Sequence, residues 1–533
     1  MKLFKRFSCV SLALIMTLLA FSACGGSETP ETQAPETNTP ASIPTETTAP
    51  SVSQEPVVTE PVETNPPETN PPETNAPETN APETNAPETN PPETNAPETN
   101  PPETNAPETN TPETNAPETE PAETEPVTTE PVETEPPEDE TSKEELTPIA
   151  DSLSEALNRT VAATHITGTG AVMSRYKGCQ QADFKTACAY YESLGYTLYC
   201  EDYTYSTLSA TYIKDKAYCA LFLDIKKLHL YETTSKTGGN KYPEHSDQNY
   251  EKICEVTVTA PCTTQQGLCD IFRLADGSFL LFDSSNNGAH ETIWQTLCRL
   301  NGSDQNIHIR AWVLTHTHGD HYGGFVSFAP VYGNKVTLDT VFYDPVNRDV
   351  MKTIESYGTS WDTISYYFND TLPSFVQQYY PTTDLCTVHA GQIFHLPGAD
   401  LQILYSPEHL YIDRIPINVN HTSLVCMVSD ENGKMLVTGD SEEASTNITL
   451  DLYGANLKCD ILQLPHHGMS RKHDVTLANH AKASVILIPC TVDYYNKNSN
   501  QYTRQIMEMA TTKATYIMGE GTVTLLLSGE KVS

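Results

Sequence analysis

Residues 251–533 alternate between short apolar runs and amphipathic stretches, a pattern typical of strands connected by helices. The apolar run from Ile307 to Leu314 predicts a buried strand, and the periodicity from Ala289 to Leu300 predicts a helix before it. Turn residues between apolar runs predict hairpins at 270–283 and 423–438. Further strands are predicted at 401–405, 460–464, 485–488, 515–518 and 522–527. Hairpins mixed with helical connections favour an α+β fold, with two sheets stacked as a sandwich and covered by helices.

Residues 143–250 have a different, tyrosine-rich composition and predict a small separate module. Its pattern favours a helix over 183–194 followed by a meander of strands at 196–203, 208–213, 217–223 and 228–232. Five of its tyrosines form a candidate sugar-binding face, although packing in the core or on the sheet is the more frequent role for tyrosine. They are Tyr190, Tyr191, Tyr203, Tyr205 and Tyr212.

Residues 25–142 consist almost entirely of Pro, Glu, Thr, Asn and Ala, with a five-residue repeat such as Pro-Glu-Thr-Asn-Ala. A chain with so few large apolar side chains cannot bury enough surface to offset the entropy of ordering, so we expect a disordered tether. Frequent proline and like-charged glutamate keep such a chain extended. We expect it to carry the folded part outward through a cell wall; the alternative is a passive spacer with no required reach.

Residues 1–24 form a cationic start, an apolar run from Val10 to Phe21, and small residues before Cys24. This order is typical of a secretory signal, and the run is short for a membrane-spanning helix. The small residues resemble the lipobox of bacterial lipoproteins, which implies lipidation at Cys24. An ordinary cleaved leader with a free Cys24 is the alternative.

Charge and cysteine content narrow the class of protein further. Residues 1–147 hold 29 acidic and 4 basic residues, so they carry 25 of the 39 net negative charges. The folded part is therefore mildly acidic, which argues against nucleic acid as a partner. The twelve cysteines after Cys24 include no Cys-x-x-Cys pair, so buried thiols or disulfides are expected rather than a cysteine-zinc site.

The chemistry of the chain is concentrated in four residues that directly follow the predicted strand ending at Leu314. His316 and His318 are two apart on an extended segment and point the same way, while Asp320 and His321 come one turn later and can face a second metal. The nearby glycines Gly319, Gly323 and Gly324 are expected to give the turn its conformational freedom. Imidazole and carboxylate groups suit zinc, and such a set leaves a coordination position for water.

This His-x-His-x-Asp-His pattern resembles the signature of the metallo-β-lactamase superfamily. Leu436 to Asp440 is similar to the family's later strand ending in a metal-bridging aspartate. Leu464-Pro465-His466-His467-Gly468, and the ending around Met518 to Thr522, are similar to the hydrolase domain of bacterial competence DNA-uptake channels. The resemblance implies a four-layered αβ/βα sandwich over 251–533.

The resemblance also implies roles for single residues. His316 and His318 bind one metal, Asp320 and His321 bind a second with one of His466 and His467, and Asp440 bridges the two. Asp320 is also expected to orient the attacking hydroxide. The member of the histidine pair that is not a ligand, with His467 as the candidate, is expected to act on the leaving group. His421, in the segment before the strand at 423–428, is the remaining candidate for the first metal.

We therefore expect an exported hydrolase with two divalent metal ions, zinc being the expected metal, that cleaves a phosphodiester or a related ester. The expected partners are an ester of small-molecule or cell-envelope origin and, through Cys24, the membrane. The expected location is the outer face of the cell membrane, or the medium if Cys24 is not lipidated. The alternatives are a β-lactam or lactone hydrolase, and a surface-displayed binding or structural protein whose metal domain is not catalytic.

Overall fold

The computed structural model describes residues 150–203, 206–235, 240–247, 249–263, 265–357, 371–413 and 418–532. The predicted signal sequence with Cys24 and the tether over 25–142 lie outside the described residues. Within those residues, no helix has both the length and the apolar character needed to cross a membrane.

The first part of the described chain is a six-stranded antiparallel sheet with helices α1 (Ala150–Leu157) and α2 (Gln181–Ser193). Its strands are β1 (Val161–Ile166), β2 (Val172–Lys177), β3 (Thr197–Asp202), β4 (Thr207–Lys214), β5 (Ala217–Asp224) and β6 (His229–Ser235). The strand order is β1-β2-β6-β5-β4-β3. Phe184 and Tyr191 on α2 pack with Leu153 of α1 and with Leu221 of β5, so both helices bury their apolar side chains against the sheet.

The predicted helix and the four predicted strands of this module are confirmed, with ends within three residues of the prediction. The sequence pattern did not indicate β1 and β2. The side chains of β1 alternate between half-buried and exposed, so the strand presents little apolar signal. Of the five tyrosines, Tyr191 and Tyr212 are buried, whereas Tyr203 is exposed, and Tyr205 lies outside the described residues.

Two seven-stranded sheets follow. The first has the order β12-β11-β10-β9-β8-β7-β20. It consists of β7 (Thr257–Ala260), β8 (Cys269–Arg273), β9 (Phe279–Asp283), β10 (Ile307–Val313), β11 (Val336–Tyr343), β12 (Asp384–Thr387) and β20 (Val523–Leu526). Strands β9 to β12 are parallel to one another, whereas β8 and β9 form the predicted antiparallel hairpin.

The second of these sheets has the order β13-β14-β15-β16-β17-β18-β19. It consists of β13 (Ile393–Leu396), β14 (Ala399–Tyr405), β15 (Val425–Ser429), β16 (Lys434–Val437), β17 (Ile461–Gln463), β18 (Val485–Ile488) and β19 (Ala514–Ile517). Strands β15 and β16 form the second predicted hairpin, and β16 to β19 are parallel. All the strands predicted in residues 251–533 are therefore confirmed, whereas β7, β11, β12 and β13 were not predicted.

Helices cover both outer faces of the paired sheets. They are α3 (His290–Asn301), α4 (Gly319–Tyr332), α5 (Arg348–Tyr357), α6 (Glu408–Tyr411), α7 (Glu443–Tyr453), α8 (Lys472–Ala481), α9 (Val492–Asn498) and α10 (Gln501–Met507). Phe282 of β9 and Cys426 of β15 share the core between the sheets. Trp294 of α3 packs on the outer face of the first sheet, and Leu477 of α8 on that of the second. The predicted αβ/βα layering is confirmed.

The six-stranded sheet packs against loops and strands of this sandwich. The Ser209 hydroxyl donates a 2.6 Å hydrogen bond to the carbonyl of Gly391, and the Gln402 amide donates to Asp202 at 2.5 Å. Arg175, which is buried, pairs with Asp413. These contacts are polar and directional, so they fix one orientation of the two parts within the described chain.

All twelve cysteines after Cys24 have free thiols, and eight of them are buried. Cys426, for example, lies in the core between the sheets, where burial raises the pKa of its thiol above the usual range. Of the expected alternatives, the structure therefore contains free, mostly buried thiols. Within the described residues, none of the twelve cysteines belongs to a group of side chains that could hold a metal ion.

Candidate metal centre

The histidine cluster lies where β10 passes into α4. The buried strand ends at Val313, the chain bends at His316 and Thr317, and α4 begins at Gly319. Asp320 and His321 both lie in the first turn of α4. His318, with φ −81° and ψ 147°, is the residue at which extended chain changes to helix.

The side chains that converge form two groups of three. His316, His318 and Asp440 form the first group; Asp320, His321 and His467 form the second. Within each group the ligand-type atoms all lie within 4.8 Å of one another. The structure therefore brings together every residue of the predicted set except His421 and His466.

Asp440 lies between the two groups. Its Oδ1 lies 3.1 Å from Nε2 of His321 and its Oδ2 lies 3.2 Å from Nε2 of His467, although Asp440 is itself assigned to the first group. Asp440 and His467 follow β16 and β17, which are parallel neighbours. Since the carboxyl ends of parallel strands meet at one edge of a sheet, residues 27 positions apart in sequence reach the same centre.

The buried nitrogen and oxygen atoms of the two groups are arranged as metal ligands rather than as hydrogen-bond partners of one another. Nε2 of His321, Nε2 of His467 and Oδ1 of Asp440 are buried and make no hydrogen bond of acceptable geometry, in spite of the short distances between them. Unpaired buried polar atoms cost about 1–3 kcal/mol each. Convergence of such atoms on one point is the arrangement that a cation would satisfy. Metal binding by these atoms stays a prediction.

Electrostatics couple the histidines to the carboxylates. Burial lowers the pKa of His467, but the carboxylates of Asp440 and Asp320 outweigh it and raise that pKa to about 9. Burial raises the pKa of Asp440, and His321 and His467 outweigh that effect and hold it well below its usual range. Asp440 is therefore a carboxylate at every pH near neutrality.

The family model of the metallo-β-lactamase superfamily matches residues 265–399, which include β8 to β12 and the histidine cluster. Residues 265–399 therefore carry a domain of the metallo-β-lactamase superfamily. None of the curated proteins compared with it matches.

Among solved structures, the metallo-β-lactamase fold protein YhfI from Bacillus subtilis aligns at 12% identity and a TM-score of 0.31, over 51% of this chain and 100% of that one. Human tRNase Z, short form, aligns at 14% identity and a TM-score of 0.26, over 45% of this chain and 94% of that one. CmlA, a diiron β-hydroxylase from Streptomyces venezuelae, aligns at 12% identity and a TM-score of 0.33, over 51% and 54%.

One site residue of this metallo-β-lactamase domain was missed by the sequence analysis. Asp283, at the end of β9, is fully buried, and its Oδ2 lies 2.7 Å from Nδ1 of His321. The same carboxylate accepts hydrogen bonds from the backbone N–H and the hydroxyl of Thr315, at 2.8 and 2.7 Å. A carboxylate that binds the remote ring nitrogen of a metal-ligating histidine fixes its tautomer and orientation. The apolar run Phe279-Leu280-Leu281-Phe282 ending in aspartate was the available signal.

The structure distinguishes the two members of the His466-His467 pair. His467 is buried and belongs to the second group, whereas His466 is partly exposed and belongs to neither. The prediction had left open which of the two is the ligand. Both residues have positive φ angles, 51° and 54°, a conformation that costs non-glycine residues free energy and is concentrated at functional sites.

His466 is held by two polar partners. Its Nδ1 lies 3.4 Å from Oε1 of Glu442, and its Nε2 lies 3.3 Å from the amide nitrogen of Asn420. Asn420 also donates a hydrogen bond of 3.2 Å to Glu442. His421, the remaining candidate ligand of the first metal, lies outside both groups, and its Nε2 lies 3.9 Å from Glu442.

The glycines of α4 do not have the role that we predicted. Gly323 and Gly324 lie inside the helix, where no unusual backbone angle is required. A Cβ atom on Gly324 would lie 1.9 Å from the carbonyl oxygen of Ser284, and one on Gly323 would lie 2.5 Å from the backbone nitrogen of Asn287. These glycines allow α4 to pack closely against the loop after β9, and only Gly319 has open space around it.

The remaining histidines belong to neither group. Several pair with carboxylates: His308 with Asp339 at 2.7 Å, His389 with Glu408 at 2.8 Å and His395 with Asp400 at 2.7 Å. His409 packs against Phe222 and Tyr231, with ring centroids 4.7 and 4.6 Å apart. Tyr322 of α4 packs in the apolar cluster between this helix and the first sheet.

Proposed function

We propose that the chain is an exported hydrolase that uses two divalent metal ions to cleave a phosphodiester or a related ester. The observation that carries this proposal is the pair of three-residue groups with Asp440 between them. Imidazole and carboxylate ligands of this kind suit zinc. Two divalent cations supply a water molecule of lowered pKa and neutralise charge on the attacked phosphoryl or carbonyl oxygen.

The residues of the two groups would hold the metal ions, and Asp320 and His466 would act on the water and on the leaving group. His316, His318 and Asp440 would hold one ion, and Asp320, His321 and His467 the other, with Asp440 shared. The Asp320 side chain is 23% exposed, which places a carboxylate where it can accept a hydrogen bond from the attacking water. His466, also 23% exposed, is the histidine left to contact the leaving group, while Glu442 and Asn420 fix its ring.

His318→Ala tests the metal centre. We expect the variant to lose bound metal and hydrolytic activity together, because it removes one of three ligands from the first group. His308→Ala is the matched control, since His308 lies at the opposite end of β10 and pairs with Asp339. Metal content by mass spectrometry and rate are measured on the same samples, and full activity in metal-free protein would contradict the proposal.

A panel of chromogenic substrates tests the reaction class. We expect a phosphodiester to be hydrolysed faster than a lactone or a cephalosporin, because the His-His-Gly segment resembles that of phosphodiester-cleaving relatives. Preferential cleavage of the cephalosporin or the lactone would favour the alternative hydrolases. Bound metal without hydrolysis of any substrate would favour a surface-displayed binding protein.

We propose further that Cys24 is lipidated and that residues 25–142 hold the catalytic domain away from the outer face of the cell membrane. The cationic start, the apolar run and the small residues before Cys24 support this proposal. Labelling of growing cells with radioactive palmitate should mark the wild-type protein and leave Cys24→Ser unmarked. An unlabelled wild-type protein found in the medium would identify an ordinary cleaved leader.

A further inference from the structure

A cavity of about 140 Å³ lies beside the candidate metal centre, between the loop that joins β7 to β8 and the start of α3. Its walls include Thr263 and Gln265 from that loop, Asn286 and Asn287 from the loop after β9, and Thr292 from α3, with Met518 at one side. We call it the Asn286 pocket. One water molecule needs about 10–15 Å³ of such space, so the pocket has room for a small organic group.

The wall of the Asn286 pocket is joined to the second group of the centre. The N–H of Gly267, a wall residue, donates a 3.1 Å hydrogen bond to the carbonyl of Pro489, and Nδ1 of His467 lies 3.1 Å from the same oxygen. A Cβ atom on Gly267 would lie 2.5 Å from the carbonyl oxygen of Asp320. The backbone of Gly267 thus lies against Asp320, and the carbonyl of Pro489 links it to His467, so the pocket wall adjoins the second group.

The pocket is built from a constrained loop. Ser285, another wall residue, has a φ of 57°. Its backbone N–H donates a 2.7 Å hydrogen bond to the carbonyl of Leu268, and its carbonyl accepts a 3.0 Å hydrogen bond from the N–H of Gly324. Strained non-glycine residues persist where the surrounding structure fixes them, and they are concentrated at ligand sites. The amide of Asn286, the next residue, also donates a hydrogen bond to the carbonyl of Gln266.

No charged side chain is present among the fourteen residues that line the Asn286 pocket. The polar groups are amides and hydroxyls, which both donate and accept hydrogen bonds. Burial raises the pKa of Cys269, a wall thiol, well above its usual range, so that this thiol stays neutral too. A phosphate or carboxylate would find no charge partner here, whereas a neutral group rich in hydroxyls would find several hydrogen-bond partners.

We propose that the Asn286 pocket binds a neutral, hydroxyl-rich part of the substrate, such as a sugar ring or a polyol, while the ester to be cleaved lies at the metal centre. This inference rests on the proposed hydrolase function and deepens it by naming the substrate class. The charged centre and the uncharged pocket then match the two chemically different parts of a phosphodiester of a carbohydrate.

Binding is tested without hydrolysis. The protein is labelled with ¹³C at its methionine methyl groups, and the Met518 resonance is assigned with Met518→Leu. Methyl α-D-glucopyranoside should shift this resonance saturably, and methyl phosphate should not. A shift with methyl phosphate alone, or with neither probe, would overturn the inference, whether or not the protein hydrolyses any ester.

Selectivity gives the second test. The ratio of kcat/KM for a glucosyl p-nitrophenyl phosphodiester to that for methyl p-nitrophenyl phosphate should fall about fivefold to tenfold in Gln265→Ala and in Thr292→Val, because each removes one hydrogen-bonding group. Gln295→Ala and Thr476→Val, on helix surfaces outside the pocket, should keep the wild-type ratio. An unchanged ratio in both pocket variants would contradict the assignment even if methyl p-nitrophenyl phosphate is hydrolysed.

Discussion

The carboxylate of Asp283 contacts Nδ1 of His321 at 2.7 Å, while Nε2 of the same ring faces Asp440 at 3.1 Å. The imidazole therefore lies between two buried carboxylates that come from different sheets. One of them, Asp283, also binds Thr315, so it fixes the start of the histidine segment as well as the ring. The position of His321 thus depends on β9 as much as on its own helix.

Asp283→Asn should weaken metal binding about 10- to 100-fold, because the amide cannot hold the tautomer of His321 as the carboxylate does. Asp339→Asn is a matched control, since Asp339 forms an aspartate–histidine pair of the same 2.7 Å length with His308, far from the centre. Zinc affinity is measured by competition with a chelator. Equal affinities for both variants would show that Asp283 does not position a ligand.

His467→Ala and His466→Ala should differ in metal content. His467 belongs to the second group, so its removal should lower the bound metal by about one equivalent. His466→Ala should keep both metals and lose turnover, because its ring nitrogens face Glu442 and Asn420 and it belongs to neither group. Metal analysis and single-turnover rates separate the two effects. If His466→Ala lost metal and His467→Ala did not, His466 would be the ligand and His467 the residue that contacts the leaving group.

Gly324→Ala should destabilise the protein by about 1–3 kcal/mol or prevent folding, because the added methyl group would meet the Ser284 carbonyl at 1.9 Å. Gly319→Ala, in the first turn of the same helix, should be nearly neutral, since nothing lies within 4 Å of its added Cβ. Urea denaturation compares the two variants. Equal stabilities would mean that Gly324 is not needed for the close approach of α4.

Glu232→Gln should change the pH dependence of stability. Burial raises the pKa of Glu232 from 4.5 to about 7, against the hydrogen bonds that Tyr191 and Tyr176 donate to it. The folded protein therefore holds a proton that the unfolded chain releases above pH about 4.5, so wild-type stability should fall between pH about 4.5 and about 7, by about 2–3 kcal/mol.

The glutamine variant should lack this part of the pH dependence. Glu201→Gln, an exposed change on β3, is the control and should follow the wild type. Free energies of unfolding are measured from pH 4.5 to pH 8. Parallel curves for wild type and Glu232→Gln would contradict the assignment of the buried proton to Glu232.

The sequence alone determined ten of the fourteen strands in residues 251–533 and the segment that holds four of the six grouped side chains. Both are local properties. The apolar run from Ile307 to Leu314 is long enough to predict a strand by itself, and the four candidate metal ligands from His316 to His321 lie within six consecutive residues. Edge and half-exposed strands such as β1 were missed because their apolar pattern is weak.

Only the tertiary structure decided which distant residues complete the centre. Asp283 joins it because β9 and β10 are parallel neighbours, and His467 rather than His466 joins it because of the backbone angles that follow Pro465. The uncharged wall of the Asn286 pocket is likewise formed by three separate segments. Contacts between segments far apart in sequence depend on strand pairing and close packing, which the local order of residues does not contain.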